Sequence, residues 1–383
     1  MKILITFTFG VSLDQWYNSG IIYRELELYK KLLKKNVKII FLTYGDDRDL
    51  KYSNILGDIN IFPAQKYIKS KSRLFQLLKS LLIPFKLKKL FKQIDIIKTN
   101  QMEGSLIACL GKLLYRKKLI IRCGYEWLKF YILENKIKKR NFFKYWARYF
   151  YIYITELISY KLADSIILTS PIDIDFIIKV FRLNKKQKKI KLLYNYIDSD
   201  LFKPLNLLKK EKSVIYIGRL NEQKNLFNLL EAFKDLKDFT LDIIGDGELK
   251  EKLMLKANKL KLNVNFLGLF PNNKIPEILN QHEFFILPSY YEGNPKALLE
   301  AMSCGLICIG TNVWGIKNLI EHEENGLLCK PNASSIKQTI LKYYKDGTLR
   351  KKIQQNARNF ILDNASLNSI AEKEYRIYKD CTS

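Results

Sequence analysis

Along the chain, short apolar, β-branched runs alternate with stretches in which apolar residues recur at helical spacing. In the first half the runs are Lys2–Phe9, Val37–Tyr44, Ile59–Pro63, Ile94–Thr99, Leu119–Arg122, Ser165–Thr169 and Ile190–Tyr194. In the second half they are Ser213–Ile217, Thr240–Ile244, Val264–Leu267, Phe284–Leu287 and Leu306–Ile309. Strands buried on both faces read as continuous apolar runs, and strand–helix alternation builds parallel sheets. The pattern predicts an α/β protein of two doubly wound parallel-sheet domains. Their boundary is expected in the polar stretch Asn195–Lys212, which carries Pro204 and the run Lys209-Lys210-Glu211-Lys212.

The length of 383 residues agrees with two or three domains of about 150 residues each. A composition of 48% hydrophobic and 27% charged residues describes a folded chain, not a disordered one. Mean hydropathy is −0.14, and no apolar run reaches the roughly 20 residues a bilayer crossing needs. Lys2–Gly10 has the look of a short signal peptide, but Asp14, Gln15 and Trp16 follow where small residues should stand, so a buried first strand is expected. The six cysteines form no C-x-x-C pair and there are two histidines, so no zinc set is expected. Cys304 and Cys308 read as apolar packing, and a reduced, cytosolic compartment is expected.

Charge separates the two halves. Residues 1–200 hold 39 basic and 17 acidic residues, and residues 201–383 hold 27 and 21, so most of the net +28 lies in the first half. Within 66–148 there are 22 basic residues against Asp95, Glu103, Glu126 and Glu134. In Lys66–Gln93, Leu74, Leu77, Leu78, Leu81 and Leu82 follow helical spacing, and Pro84 should end or kink that helix. Phe142–Tyr160 interleaves Lys144 and Arg148 with eight aromatic residues before Tyr160. Basic residues mixed with aromatics suit an anionic membrane surface. They also fit the solvated helix faces of a lysine-rich chain, or nucleic acid. Only 12 of the 66 basic residues are Arg, the preferred base reader, which speaks against nucleic acid.

In open parallel sheets, ligands sit at the carboxyl ends of the strands. Three strand ends in the second half are candidates. After Ile217 comes Gly218-Arg219-Leu220-Asn221-Glu222-Gln223-Lys224, where two cations near a helix start suit a diphosphate. After Ile244 comes Gly245-Asp246-Gly247, where two glycines allow a tight turn and close approach to a ligand. After Leu287 comes Pro288 to Met302, with Pro295 at the first position of a helix, Asn294 as its N-cap and Gly305 as its stop. Glu292 then lies in the loop beside the Gly293-Asn294 amides, ready to accept from sugar hydroxyls, and Glu300 lies in the second helical turn, where a carboxylate can take a ribose diol.

These segments together resemble the retaining GT-B glycosyltransferases of family 4. The matching stretches are LLYNYIDSDLFKP (192–204), YIGRLNEQKNLFNLLEAF (216–233), DIIGDGELKEKL (242–253), NFLGL (265–269) and FILPSYYEGNPKALLEAMSCGLICIGTNVWGIKNLIEHEENGLL (285–328). The Glu292 to Glu300 spacing is the family signature. The resemblance is strong over 190–330 and looser over 1–190. It implies a GT-B fold with domains at 1–195 (acceptor, basic, membrane-facing) and 196–365 (nucleotide-sugar donor), and a helix at 366–383 crossing back.

By the same resemblance, Arg219 and Lys224 neutralise the diphosphate and stabilise the leaving group. Glu292 faces the donor sugar and Glu300 holds the ribose. Gly218, Gly245, Gly247, Gly293, Asn294, Pro295 and Leu299 complete the donor side. No metal or other cofactor is implied, and Asp198 and Asp200 read as a turn. The first domain departs from the family. Its usual His is absent from Ile121–Glu126, so Arg122 or Glu126, with Gly20 at the first helix, are the acceptor-side candidates. Asn318 also stands where the family usually has Glu. The reading is a cytosolic transferase of hexosyl or N-acetylhexosaminyl groups on the inner membrane face. It would use a UDP-sugar to build a capsule, lipopolysaccharide or other lipid-linked glycan, with no nucleic-acid partner. A GT-B epimerase or hydrolase, or a basic nucleic-acid-binding protein, are the alternatives.

Overall fold

The computed structural model describes residues 1–138, 141–184 and 189–382. Lys139 and Arg140 of the basic stretch, and Ser383 of the C-terminal segment, lie outside the described residues. The chain divides into two compact units, Met1–Leu193 with Ile370–Ser383, and Tyr194–Ser369.

Unit 1 holds a seven-stranded parallel sheet of β1 (Lys2–Thr6), β2 (Lys38–Thr43), β3 (Asn60–Pro63), β4 (Ile96–Thr99), β5 (Lys118–Cys123), β6 (Ser165–Leu168) and β7 (Ile190–Leu192). Their order is β3-β2-β1-β4-β5-β6-β7. The central strands are sealed on both faces: Ile3, Leu4, Ile96, Ile97, Leu119, Ile120 and Ile121 are fully buried. That is why they read as unbroken apolar runs.

Unit 2 holds a six-stranded parallel sheet of β8 (Ser213–Ile217), β9 (Thr240–Ile244), β10 (Val264–Gly268), β11 (Phe284–Leu287), β12 (Ile307–Thr311) and β13 (Leu327–Cys329). Their order is β10-β9-β8-β11-β12-β13. Strand β10 alternates half-buried and exposed residues, as an edge strand should. The core joins β8, β9, β11 and β12 to the helices Leu226–Phe233, Lys296–Ser303 and Ala333–Tyr344.

Two expectations shift. The basic stretch does not run as one helix to Pro84. It breaks at Leu81 and Leu82, after the helix Arg73–Ser80. Pro84 falls in the first turn of the next helix, Ile83–Lys86, where a missing N–H costs nothing. The third-site helix begins at Lys296, with Pro295 as N-cap in an extended conformation. Asn294 does not cap it, because its Oδ1 accepts instead from the Asn195 N–H at 2.9 Å. Gly305 stops that helix as expected, at φ +71°.

Candidate functional site

A doubly wound sheet binds ligands where strand order reverses, because the loops leaving the two strands there part to opposite faces. In unit 2 that point lies between β8 and β11. The loop after β8 carries Arg219 and Lys224, and the loop after β11 carries Glu292.

The structure joins them. Lys224 Nζ donates to Glu292 Oε1 at 2.5 Å, across 68 residues of sequence. Ser289 Oγ donates to the same oxygen, also at 2.5 Å. Lys224 is half-buried, and Glu292 and Ser289 are buried. The backbones are fastened too. The Tyr290 N–H donates to the Gln223 carbonyl at 2.9 Å, and Gln223 Nε2 returns a bond to the Tyr291 carbonyl at 2.8 Å. Asn225, held at φ +56°, donates from Nδ2 to the Pro288 and Pro331 carbonyls. The Glu292 N–H donates to the Trp314 carbonyl at 3.0 Å.

Arg219 is exposed, and no ion pair involving its side chain is found among the described residues. Its main chain is fixed, because the Tyr216 hydroxyl donates to its carbonyl at 2.8 Å. Burial, with the Glu292 charge acting in the same sense, pushes the Tyr216 phenol well above its ordinary range, so it stays protonated as a donor. The loop after β9 packs backbone to backbone against the loop after β8. At Gly245, with φ +146°, a Cβ would sit 1.9 Å from the Gly218 carbonyl oxygen. Only glycine fits there. Gly315, at φ +86°, is similar: a Cβ would lie 2.3 Å from the Glu292 carbonyl oxygen and 2.4 Å from that of Gly293.

Asn195 clamps the other end of this loop. Besides its N–H bond, its Nδ2 donates to the Asn294 carbonyl at 2.7 Å. Glu300 is buried on the helix Lys296–Ser303, with Leu299 beside it fully buried. Asp198 is a turn residue: its Oδ1 accepts from the N–H groups of Asp200 and Leu201 at 3.1 and 3.2 Å. Among the described residues no group of three or more His, Cys, Asp or Glu is placed to hold a metal ion.

Sequence reasoning therefore named Gly218, Arg219, Lys224, Gly245, Gly247, Glu292, Gly293, Asn294 and Pro295 on loops that the structure brings together. It missed Ser289, Asn195, Gln223, Asn225 and Gly315. The one signal available was that all five stand within the matched stretches.

In unit 1 the acceptor-side candidates fall differently. Gly20 is exposed at φ +71°, in the turn between the helices Leu13–Asn18 and Ile22–Leu33. Arg122 is turned inward, with Nη1 3.4 Å from Glu374 Oε2. Glu126 is fully buried; its Oε2 accepts from the Tyr160 hydroxyl at 2.5 Å. Burial is the main cause that pushes its carboxyl up to about 7. Glu156, also fully buried, accepts through Oε1 from the N–H groups of Trp127 and Leu128, which caps the helix Trp127–Lys138. Burial and the charge of Glu126 raise the Glu156 carboxyl well above its ordinary range. The remaining oxygens, Glu126 Oε1 and Glu156 Oε2, are buried without a partner atom. Interior partners thus engage both Arg122 and Glu126. The reversal of strand order in unit 1 lies instead between β1 and β4, so the loops after Thr6 and Thr99 are the better-placed candidates.

Residues 198–360 match the model of the family described as Glycosyl transferases group 1. The N-acetyl-alpha-D-glucosaminyl L-malate synthase of Bacillus anthracis is 27% identical over 59% of this chain and 63% of its own length. The UDP-Gal:alpha-D-GlcNAc-diphosphoundecaprenol alpha-1,3-galactosyltransferase of Escherichia coli is 31% identical over 50% of this chain and 54% of its own. The chain thus spans less than two thirds of the length of these two relatives. A solved structure of Anabaena HepE with UDP and glucose superposes at a TM-score of 0.75, covering 99% of this chain and 100% of that one. At 16% identity that likeness shows the fold alone.

Proposed function

We propose that the chain, which has the GT-B fold and matches the glycosyl transferases group 1 model over residues 198–360, moves a sugar from a nucleotide-sugar donor to a lipid-linked or polysaccharide acceptor. The observation that carries this reading is the meeting of Lys224, Glu292 and Ser289 at the strand-order reversal of unit 2, with Arg219 exposed beside them.

In this reading the donor is a UDP-sugar. Its diphosphate takes Lys224 and Arg219 as counter-charges, and they stabilise the negative charge that grows on the leaving nucleoside diphosphate. They supply the charge that a divalent ion supplies in other transferases, so no metal is assigned. Glu292 keeps Oε2 for the hydroxyls of the donor sugar, while Ser289 and Lys224 fix Oε1. Glu300 holds the ribose. The sugar is transferred with retention, by attack on the face the diphosphate leaves, and a donor phosphate oxygen takes the acceptor proton. The acceptor is a lipid-linked glycan, as in the name of the Escherichia coli relative. The enzyme works on the cytoplasmic face of a membrane, held there by the basic unit 1, in cell-surface glycan synthesis.

A panel of nucleotide sugars screened by thermal unfolding tests the donor assignment, because a ligand bound only by the folded state raises the midpoint. Uridine compounds are expected to raise it. Lys224→Ala should abolish that shift and most turnover while the unliganded protein keeps its fold. Near-normal turnover in that variant would overturn the diphosphate role.

A further inference from the structure

The helix Phe142–Leu162 is sided twice. One face, with Ile152, Thr155, Glu156, Ser159 and Tyr160, is buried in unit 1. Ser159 Oγ there lies 2.7 Å from Ser105 Oγ. The opposite face carries Phe143, Trp146, Phe150, Ile154 and Ile158, all exposed, with Phe143 at 80% and Phe150 at 61%. Steps of three, four, four and four residues keep these five within an arc of about 120°. At ~1.5 Å per residue they form a ridge about 22 Å long. No charged residue interrupts that arc before Lys161 closes it, while Lys144 and Arg148 flank it. Most surface helices turn a polar face to water; this one does not.

A second apolar surface lies close by. Leu74, Phe75, Leu78, Leu82 and Phe85 are exposed on and after the helix Arg73–Ser80. Arg73 Nη2 donates to Glu103 Oε1 at 3.3 Å, two residues before the Ser105 that meets Ser159, so the two helices lie near one another. Around this surface, residues 66–93 carry nine lysines and arginines and no acid, and all nine are exposed.

Exposed apolar patches of this extent mark an interaction surface. A second copy of the chain would bring the same nine cations against themselves, on a molecule of net charge +28. An anionic lipid surface answers both features. Lysines near such a surface contribute about 1 kcal/mol each, and apolar side chains enter the boundary between headgroups and acyl chains.

We infer that the ridge Phe143–Ile158 and the Leu74–Phe85 surface embed in an anionic bilayer, with the lysines of 66–93 on the lipid phosphates. The helix lies along the membrane and does not cross it, because its other face is tied into unit 1. Among the described residues no helix is long and apolar enough to cross a membrane. This inference rests on the proposed membrane placement of unit 1 and names the residues that make it.

The test is co-sedimentation of the full chain with phosphatidylcholine vesicles containing about one third phosphatidylglycerol, beside pure phosphatidylcholine vesicles. The mixed vesicles should bind it, and Phe150→Ser or Ile154→Ser should weaken partitioning by about tenfold each, from the transfer free energy of one apolar side chain. That loss should persist in high salt, where the lysine contribution fades. Brominated acyl chains should quench Trp146 fluorescence, and Trp146→Phe should remove the quenched signal. If the ridge variants bind as the parent does and salt removes all binding, attachment is electrostatic only and the ridge is wrongly assigned, while the membrane placement stands. If neither vesicle binds, or the chain is a dimer that Phe150→Ser dissociates, the lipid assignment falls. Uridine-nucleotide stabilisation, measured on the same samples, reports separately on the donor site.

Discussion

Replacing Glu374 by Ala should cost unit 1 about 3–5 kcal/mol, the range for removing one partner of a buried ion pair. Glu374 is fully buried on the helix Leu367–Thr382. It meets Lys98, on β4 and also fully buried, together with the Arg122 guanidinium and the Tyr378 hydroxyl. Burial alone would raise the Glu374 carboxyl, but two cations face it and hold it below its ordinary range. Lys98 is pulled the other way. Burial is the largest cause lowering it, and it faces one anion and one cation, so Glu374 only partly restores it. Without Glu374, Lys98 can escape the penalty by giving up its proton. From an ordinary value of 10.5, that neutral form costs about 1.4 kcal/mol for each pH unit below it, or roughly 4–5 kcal/mol at neutral pH.

The sign follows from the unfolded chain binding the proton more tightly than the folded variant does. The deficit of Glu374→Ala should therefore shrink as pH rises from 7 towards 10, by about 1.4 kcal/mol per unit. Urea unfolding at several pH values, followed with hydrogen exchange in residues 367–382, measures it. The double variant Lys98→Met/Glu374→Leu should recover the Lys98 part of the loss, since a packed apolar pair can replace a buried ionic one, while Arg122 and Tyr378 still lose this carboxylate. A deficit under 1 kcal/mol, or one that does not change with pH, would refute the reasoning.

The buried pair Glu126 and Glu156 gives the opposite pH dependence. Both carboxyls are raised in the folded state, so the folded chain holds more protons, and stability should fall as pH rises from about 4.5 towards 7. Glu126→Gln, which can donate to Glu156 without titrating, should flatten that slope in a melting-temperature profile; an unchanged slope would count against a shared proton. Gly315→Ala should cost roughly 1–3 kcal/mol and weaken uridine-nucleotide binding by calorimetry, because the new Cβ must displace the Glu292 and Gly293 carbonyls. Wild-type affinity would mean that this contact does not shape the loop.

Much of the fold was legible because central strands buried on both faces leave unbroken apolar runs, and all the expected runs contain strands. Strand β13 escaped because Leu327–Cys329 is too short to show any period. The break before Pro84 was misplaced because proline is tolerated in a first turn, so its position does not fix where the preceding helix stops. The ligand-side loops were legible as strand ends rich in Gly and charge. What holds them was not. Asn195 acts on Asn294 through the fold from 99 positions away, and Gln223 on Tyr291 from 68. Glu126 read as an acceptor-side candidate, and nothing local shows that Tyr160 and Glu156 will enclose it.

The loops after β8, β9 and β11 grip one another mainly through main-chain groups: the Leu220 N–H on the Asp246 carbonyl, the Tyr290 N–H on the Gln223 carbonyl, and Gly245 packed on Gly218. A frame fastened by its backbone tolerates exchange of the outward side chains. Selection could therefore alter which base or sugar is preferred at such positions one residue at a time, without first having to repair the scaffold.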